Sequence, residues 1–193
     1  MSGDVHVRFC EGLGVQFPRA THLVVLVDAH PRHQWLRTAV EQRLREEFAK
    51  LQVAVNEDKS RCVDLTQGER FEFLGFEFRR IRSRRGRWMP RRTPQRKKRT
   101  ALLRTLKPVF RSHRSRPVAE VIARINPILR GWVQYFAVGH SSRCFSYIRD
   151  WVEKKIRAHL ARARQRHGFG WKRWSKAWLY GSLGLFSGYR VAH

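Results

Sequence analysis

Residues 125–136 read Ile125-Asn126-Pro127-Ile128-Leu129-Arg130-Gly131-Trp132-Val133-Gln134-Tyr135-Phe136. The apolar residues Ile125, Ile128, Leu129, Trp132, Tyr135 and Phe136 return at three- and four-residue spacing, the mark of a helix with one apolar face. Upstream, Val118, Val121 and Ile122 keep the same phase, and Pro117 suits a helix start. Pro127 lies inside the helix, removes one ladder hydrogen bond and predicts a kink. The same periodicity places Trp132, Tyr135 and Phe136 in a core.

Working outward, the neighbouring stretches are helical too. Downstream, Phe145, Ile148, Val152, Ile156 and Leu160 form a second stripe, with Ser141 or Ser142 as the cap and an end near Gly168-Phe169-Gly170. A Trp-rich segment, Trp171 to Tyr180, follows; for Trp171 and Trp174 both core packing and stacking on bases stay open. Upstream, Thr93-Pro94 predicts an N-cap and first-turn proline for a helix carrying Leu102, Leu103, Leu106 and Phe110.

Before residue 90 the pattern changes. Leu23-Val24-Val25-Leu26-Val27 is a continuous apolar run, as in a strand buried on both faces. Leu36, Val40, Leu44, Phe48 and Leu51 predict a helix from Gln34 to Lys50. Val53-Ala54-Val55 and Cys62-Val63-Asp64-Leu65 read as short strands. Phe71, Phe73, Phe76 and Phe78 read as one strand whose phase shifts at Gly75, through a bulge or bend. Arg84-Arg85-Gly86-Arg87 turns the chain towards a partner strand near Met89. Residues 1–20 show no sustained period.

Charge also divides the chain, a little earlier, after residue 78. In total 41 Lys and Arg face 15 Asp and Glu, a net charge of +26. Residues 1–78 hold 10 basic and 12 acidic residues, whereas residues 79–193 hold 31 and only Glu120, Asp150 and Glu153. A compact unit so lacking in counter-charge calls for a polyanion, and nucleic acid fits because phosphate neutralisation releases counterions. Cys10, Cys62 and Cys144 show no zinc spacing and read as free thiols. No apolar run is long enough for a membrane span and no leader is visible, so a cytoplasmic protein is expected.

Several of these stretches resemble group II intron reverse transcriptase–maturases. Residues 125–136 are similar to the signature of the family's maturase-specific domain, also called domain X or the thumb, within which Asn126, Pro127, Gly131, Trp132, Tyr135 and Phe136 form the structural motif. Phe145-Ser146-Tyr147-Ile148-Arg149-Asp150-Trp151 continues it, and Trp171-Lys172-Arg173-Trp174 with Leu183-Gly184-Leu185-Phe186 resembles its end. Val55-Asn56-Glu57-Asp58-Lys59-Ser60-Arg61 resembles the LNxxKT segment closing the palm. Phe73-Leu74-Gly75-Phe76 resembles FLGF, which implies a primer-grip-like role.

The resemblance implies an α+β chain: a partial reverse-transcriptase palm, a short sheet plus a helix, followed by an all-α thumb or maturase domain of three helices. The implied divisions are a disordered lead over residues 1–20, a truncated palm over 21–90, the maturase-specific domain over 91–167 and the Trp-rich segment over 168–193. Group II intron RNA is the implied partner, with DNA as a further polyanion; nothing in the sequence identifies an oligomer interface. For phosphate contact the candidates are Lys97, Lys98, Arg99, Arg130, Arg143, Lys154, Lys155, Arg157, Arg162, Arg164, Lys172 and Arg173.

The resemblance fails at the polymerase centre. Complete members bind magnesium through aspartates that include a YADD tetrapeptide, where this chain has Arg19-Ala20-Thr21-His22. Magnesium favours carboxylate oxygen, so no catalytic residue, metal site or bound cofactor is expected of this chain alone. Asp28 reads as a turn residue. Three functional readings follow: an RNA-binding maturase module that assists splicing, an RNA-directed DNA polymerase completed by a separately supplied N-terminal half, and a decayed remnant without function.

Overall fold

The structure, a computed structural model, describes residues 5–11, 13, 14, 22–28, 30–56, 60–165 and 167–192. Its elements run β1 (Val5–Glu11), β2 (Leu13–Gly14), β3 (His22–Asp28), α1 (Gln34–Lys50), β4 (Ala54–Val55), β5 (Ser60–Asp64), β6 (Arg70–Phe73), β7 (Phe76–Arg82), β8 (Trp88–Pro94), α2 (Arg96–Ser112), α3 (Val118–Tyr135) and α4 (Ser142–Ala163). Strands, with α1 among them, come first and three consecutive long helices follow, an α+β arrangement. The chain divides into two compact units, Met1–Arg92 and Thr93–His193. None of the described helices is long and apolar enough to cross a membrane.

In the first unit the strands form three small sheets, ordered β3-β1-β5, β2-β4 and β6-β7-β8. β1 pairs antiparallel with β3, from Val5 opposite Asp28 to Glu11 opposite His22, and with β5 on its other edge. The expectation of disorder through residue 20 therefore fails for Val5–Glu11. Val5, Val7 and Phe9 alternate with His6, Arg8 and Cys10, a two-residue period that suits a strand, and two ladders satisfy its backbone. Residues 19–21 of the tetrapeptide facing YADD, and residues 57–59 of the LNxxKT-like segment, lie outside the described residues.

β3 is not buried on both faces. It is the end strand of its sheet, and Leu26 is 63% exposed beside a buried Val27. α1 has the bounds its periodicity predicts, but buries none of its residues. The core of this unit is small, with Val63, Leu65 and Phe71 at its centre and Val24, Phe73 and Phe78 against them.

Residues 71–78 reverse direction instead of bulging. Phe73 pairs with Phe76, which leaves Leu74 and Gly75 as a two-residue turn. Both have positive φ, 46° and 79°, as a type I′ hairpin turn requires. Glycine takes that conformation freely, and Leu74 takes it at some cost. The reversal stacks Phe71 on Phe78, ring centroids 4.8 Å apart.

The second unit has a continuous core. Leu106, Val121, Ile125, Leu129, Ile148, Val152 and Ile156 are all fully buried where α2, α3 and α4 meet. α3 continues through Pro127 to Tyr135 without a break. α2 begins later than Thr93-Pro94 suggests: those residues complete β8, and Gln95 is the N-cap. α4 stops at Ala163, ahead of the glycine break. Trp174, Leu179 and Leu185 join the same core, so the Trp-rich segment is part of the helical unit and not a separate division. For Trp174 the structure decides in favour of the core, at 3% exposed.

Candidate nucleic-acid interface

α4 carries two buried stripes. The apolar one is the stripe read from sequence. Beside it Glu153 and Arg157, one helical turn apart, are each 1% exposed, because the chain after residue 170 covers them. Arg157 Nη1 donates to Glu153 Oε2 at 3.0 Å, and its Nε donates to the carbonyl of Trp174 at 3.0 Å. Its guanidinium also lies 4.2 Å from the centre of the Trp171 ring. Tyr180 donates its hydroxyl to Glu153 Oε1 at 2.7 Å. Arg157 is therefore removed from the phosphate-contact set: its charge is spent inside the protein, tying α4 to the C-terminal segment. Burial, then the hydrogen bond to Glu153, raises the pKa of Tyr180 well above the usual phenol range.

Asn126 acts in the same way from α3. Its Nδ2 donates to the Gly184 carbonyl at 2.8 Å, and its Oδ1 accepts from the Phe186 amide at 2.9 Å. Two unpaired backbone groups of the C-terminal segment are thus satisfied by one side chain. Phe136 is buried as the motif suggests, and Trp132 packs half-buried on it, ring centres 4.4 Å apart. Tyr135 is corrected: it is 55% exposed, because Trp132 and Phe136 take the inward side of the last turn and leave its ring outside, against the edge of Phe136.

The exposed cations gather around a groove of about 420 Å³ lined by Lys107, Phe110, Arg111, Arg114, Lys155, Ala158, His159 and Arg162. Its walls are the C-terminal end of α2, with the turn after it, and the second half of α4. The spacing explains the walls. Lys107, Arg111 and Arg114 recur every three or four residues along one side of α2 and its exit, and Lys155, Ala158 and Arg162 do so along α4. His159, at its base, is 3% exposed, and its Nε2 lies 3.0 Å from the Arg116 carbonyl. A carbonyl only accepts, so Nε2 carries the hydrogen and holds the imidazole against the α2–α3 turn. With five Lys and Arg side chains and no carboxylate in its lining, the groove concentrates positive potential where phosphate oxygens can enter.

Of the sequence candidates, Lys155 and Arg162 line this groove. Lys172 and Arg173 line a second depression of about 500 Å³ with His167, Gly170, Trp171 and Trp174. Arg164 lies 5.9 Å from the Trp174 ring centre. Lys97, Lys98 and Arg99 occupy the first turn of α2, the positive end of its dipole, and Arg99 sits 4.2 Å over the Tyr147 ring. Arg130, Arg143 and Lys154 are exposed elsewhere on α3 and α4. Sequence reasoning missed Lys107, Arg111 and Arg114. Their helical spacing was visible, but only the packing of α2 on α4 shows that they face Lys155 and Arg162. Among the described residues no three His, Cys, Asp or Glu side chains come together in a group that could hold a metal ion.

No curated protein sequence matches the chain. Residues 99–178 match the family model of the group II intron maturase-specific domain, a span that opens in the first turn of α2, takes in α3 and α4, and contains every residue of the basic groove. The helical unit thus carries, over those residues, a match to the group II intron maturase-specific domain.

Proposed function

We propose that the helical unit binds structured group II intron RNA and so assists its splicing, contributing affinity and shape and no bond-making chemistry of its own. The observation that carries this reading is the groove between α2 and α4, a carboxylate-free setting for the RNA backbone inside the family-matched domain. Phosphates bound there release counterions, and the rigid helical core holds the cations at fixed spacing, so that a particular fold of the RNA is favoured over others.

Replacing Lys107, Arg111 and Arg162 together with alanine tests it. All three side chains are exposed, so the fold is expected to survive. The expected outcome is weaker binding of a group II intron RNA and a salt dependence of affinity shallower by about two to three units, near 0.9 for each lost phosphate contact. An unchanged salt slope contradicts the placement of RNA in the groove.

A second reading draws on the first unit. α1 buries none of its residues and leaves Trp35 63% exposed, as a palm element would if the rest of the palm came from a separate polypeptide. On that reading the Leu74-Gly75 hairpin is the primer-grip-like element, and RNA-directed DNA synthesis appears only when the complementing half, with its aspartates, is added.

A further inference from the structure

The strongest concentration of arginine in the chain lies ahead of the family-matched domain. From Arg79 to Arg92 there are eight arginines, and no acidic residue occurs between Glu77 and Glu120. These arginines sit on β7, β8 and the turn between them. The turn is tightly built. Ser83 N donates to the Arg87 carbonyl at 2.7 Å and Gly86 N to the Ser83 carbonyl at 3.0 Å. Ser83 Oγ accepts from Arg87 N at 3.1 Å, and Arg82 Nε donates to the Gly86 carbonyl at 3.2 Å. Gly86 takes φ 77°, the left-handed residue of a three-residue hairpin loop. Arg84, Arg85 and Arg87 are thus held exposed on an ordered tip.

One face of this ribbon carries an aromatic platform. By two-residue alternation Phe76, Phe78, Arg80 and Arg82 share a side of β7. Arg80 lies 4.5 Å from the centre of the Trp88 ring, and Arg92 lies 5.6 Å from that of Phe76, which puts Trp88 and Arg92 on the same side. Towards the base the face is apolar and buried, ending in Phe76; towards the tip it becomes Trp88, 49% exposed. An exposed tryptophan steadied by a stacked guanidinium adds nothing to the core. It matches what an unpaired base requires, a flat aromatic surface with cations in reach of the adjoining phosphates. Duplex RNA offers no free base face, and its deep, narrow major groove does not admit a two-stranded ribbon.

We infer that the β7–β8 hairpin is a second nucleic-acid site, taking a single-stranded RNA segment with a base on Trp88 and its backbone on Arg84, Arg85 and Arg87. The test is binding of the full chain to a short unstructured oligoribonucleotide and to a duplex RNA of equal length. Trp88→Ala is expected to weaken single-strand binding roughly tenfold with little effect on the duplex, because stacking is lost and no charge is. Trp88→Phe, which keeps a ring, is expected to recover most of that loss. Arg84→Ala with Arg85→Ala is expected to lower the single-strand salt slope by about 1.4, near 0.7 for each contact. Trp88→Ala binding the single strand as tightly as the parent, or losing equally on single strand and duplex, overturns the site. Neither outcome bears on the α2–α4 groove, whose own variants are read on intron RNA.

Discussion

Glu153 and Arg157 show what a single position can hide. Read along α4, Arg157 is one more cation in a basic run; in the fold it is 1% exposed and pairs with an equally buried carboxylate. Removing one partner leaves the other charge buried and uncompensated, which costs about 3–5 kcal/mol. Glu153→Ala is therefore expected to lower the urea midpoint far more than Lys154→Ala at the adjacent exposed position. Tyr180 supplies a pH signature for the same cluster. Its folded pKa is raised by burial and by the hydrogen bond to Glu153, so above the ordinary phenol value of 10 the unfolded chain loses a proton that the folded chain keeps. The folded state then holds more protons than the unfolded one, and stability falls as pH rises past that point. Tyr180→Phe is expected to flatten this alkaline decline in unfolding free energy, and an unchanged slope sinks the assignment. None of this was legible in the sequence, because the chain that covers Arg157 lies 17 residues downstream of it. A charge at helical spacing looks the same whether solvent or protein lies over it.

Elements were far more legible than their surroundings. α1 and α3 follow the periodicity of their apolar residues, as does the buried stripe of α4. The departures have local causes. Val5–Glu11 is a strand whose alternation is carried by mixed residues, and its pairing with both β3 and β5 decides the matter. The Phe-rich stretch is a hairpin because Leu74 and Gly75 both adopt positive φ, a step that leucine does not advertise. The end of α3 yields a direct comparison. Phe136 is 4% exposed and Tyr135 55%, so Phe136→Ala is expected to cost about 3–5 kcal/mol and Tyr135→Ala no more than about 1.5 kcal/mol, the worth of its edge contact with Phe136, both read from equilibrium unfolding. Similar losses at the two positions contradict the inward face assigned to this helix.

At the scale of the whole molecule the division of charge is what the sequence revealed most directly. The first 78 residues are nearly balanced, slightly acidic, and all of the excess positive charge follows. The fold turns that excess into places: a groove between α2 and α4 and an arginine-rich ribbon outside the matched domain. The groove was out of reach of sequence reasoning, since its two walls lie some 45 residues apart and meet only through the buried residues of α2, α3 and α4. On the function proposed above, the helical unit recognises intron RNA and does not merely attract polyanions. The most direct measurement is the affinity of the full chain for a structured group II intron RNA and for an unrelated structured RNA of equal length across a salt series. A preference for the intron is expected to persist near physiological salt, after the shared electrostatic affinity has fallen away. Equal affinities that collapse together as salt rises would contradict it, leaving a polycation without recognition.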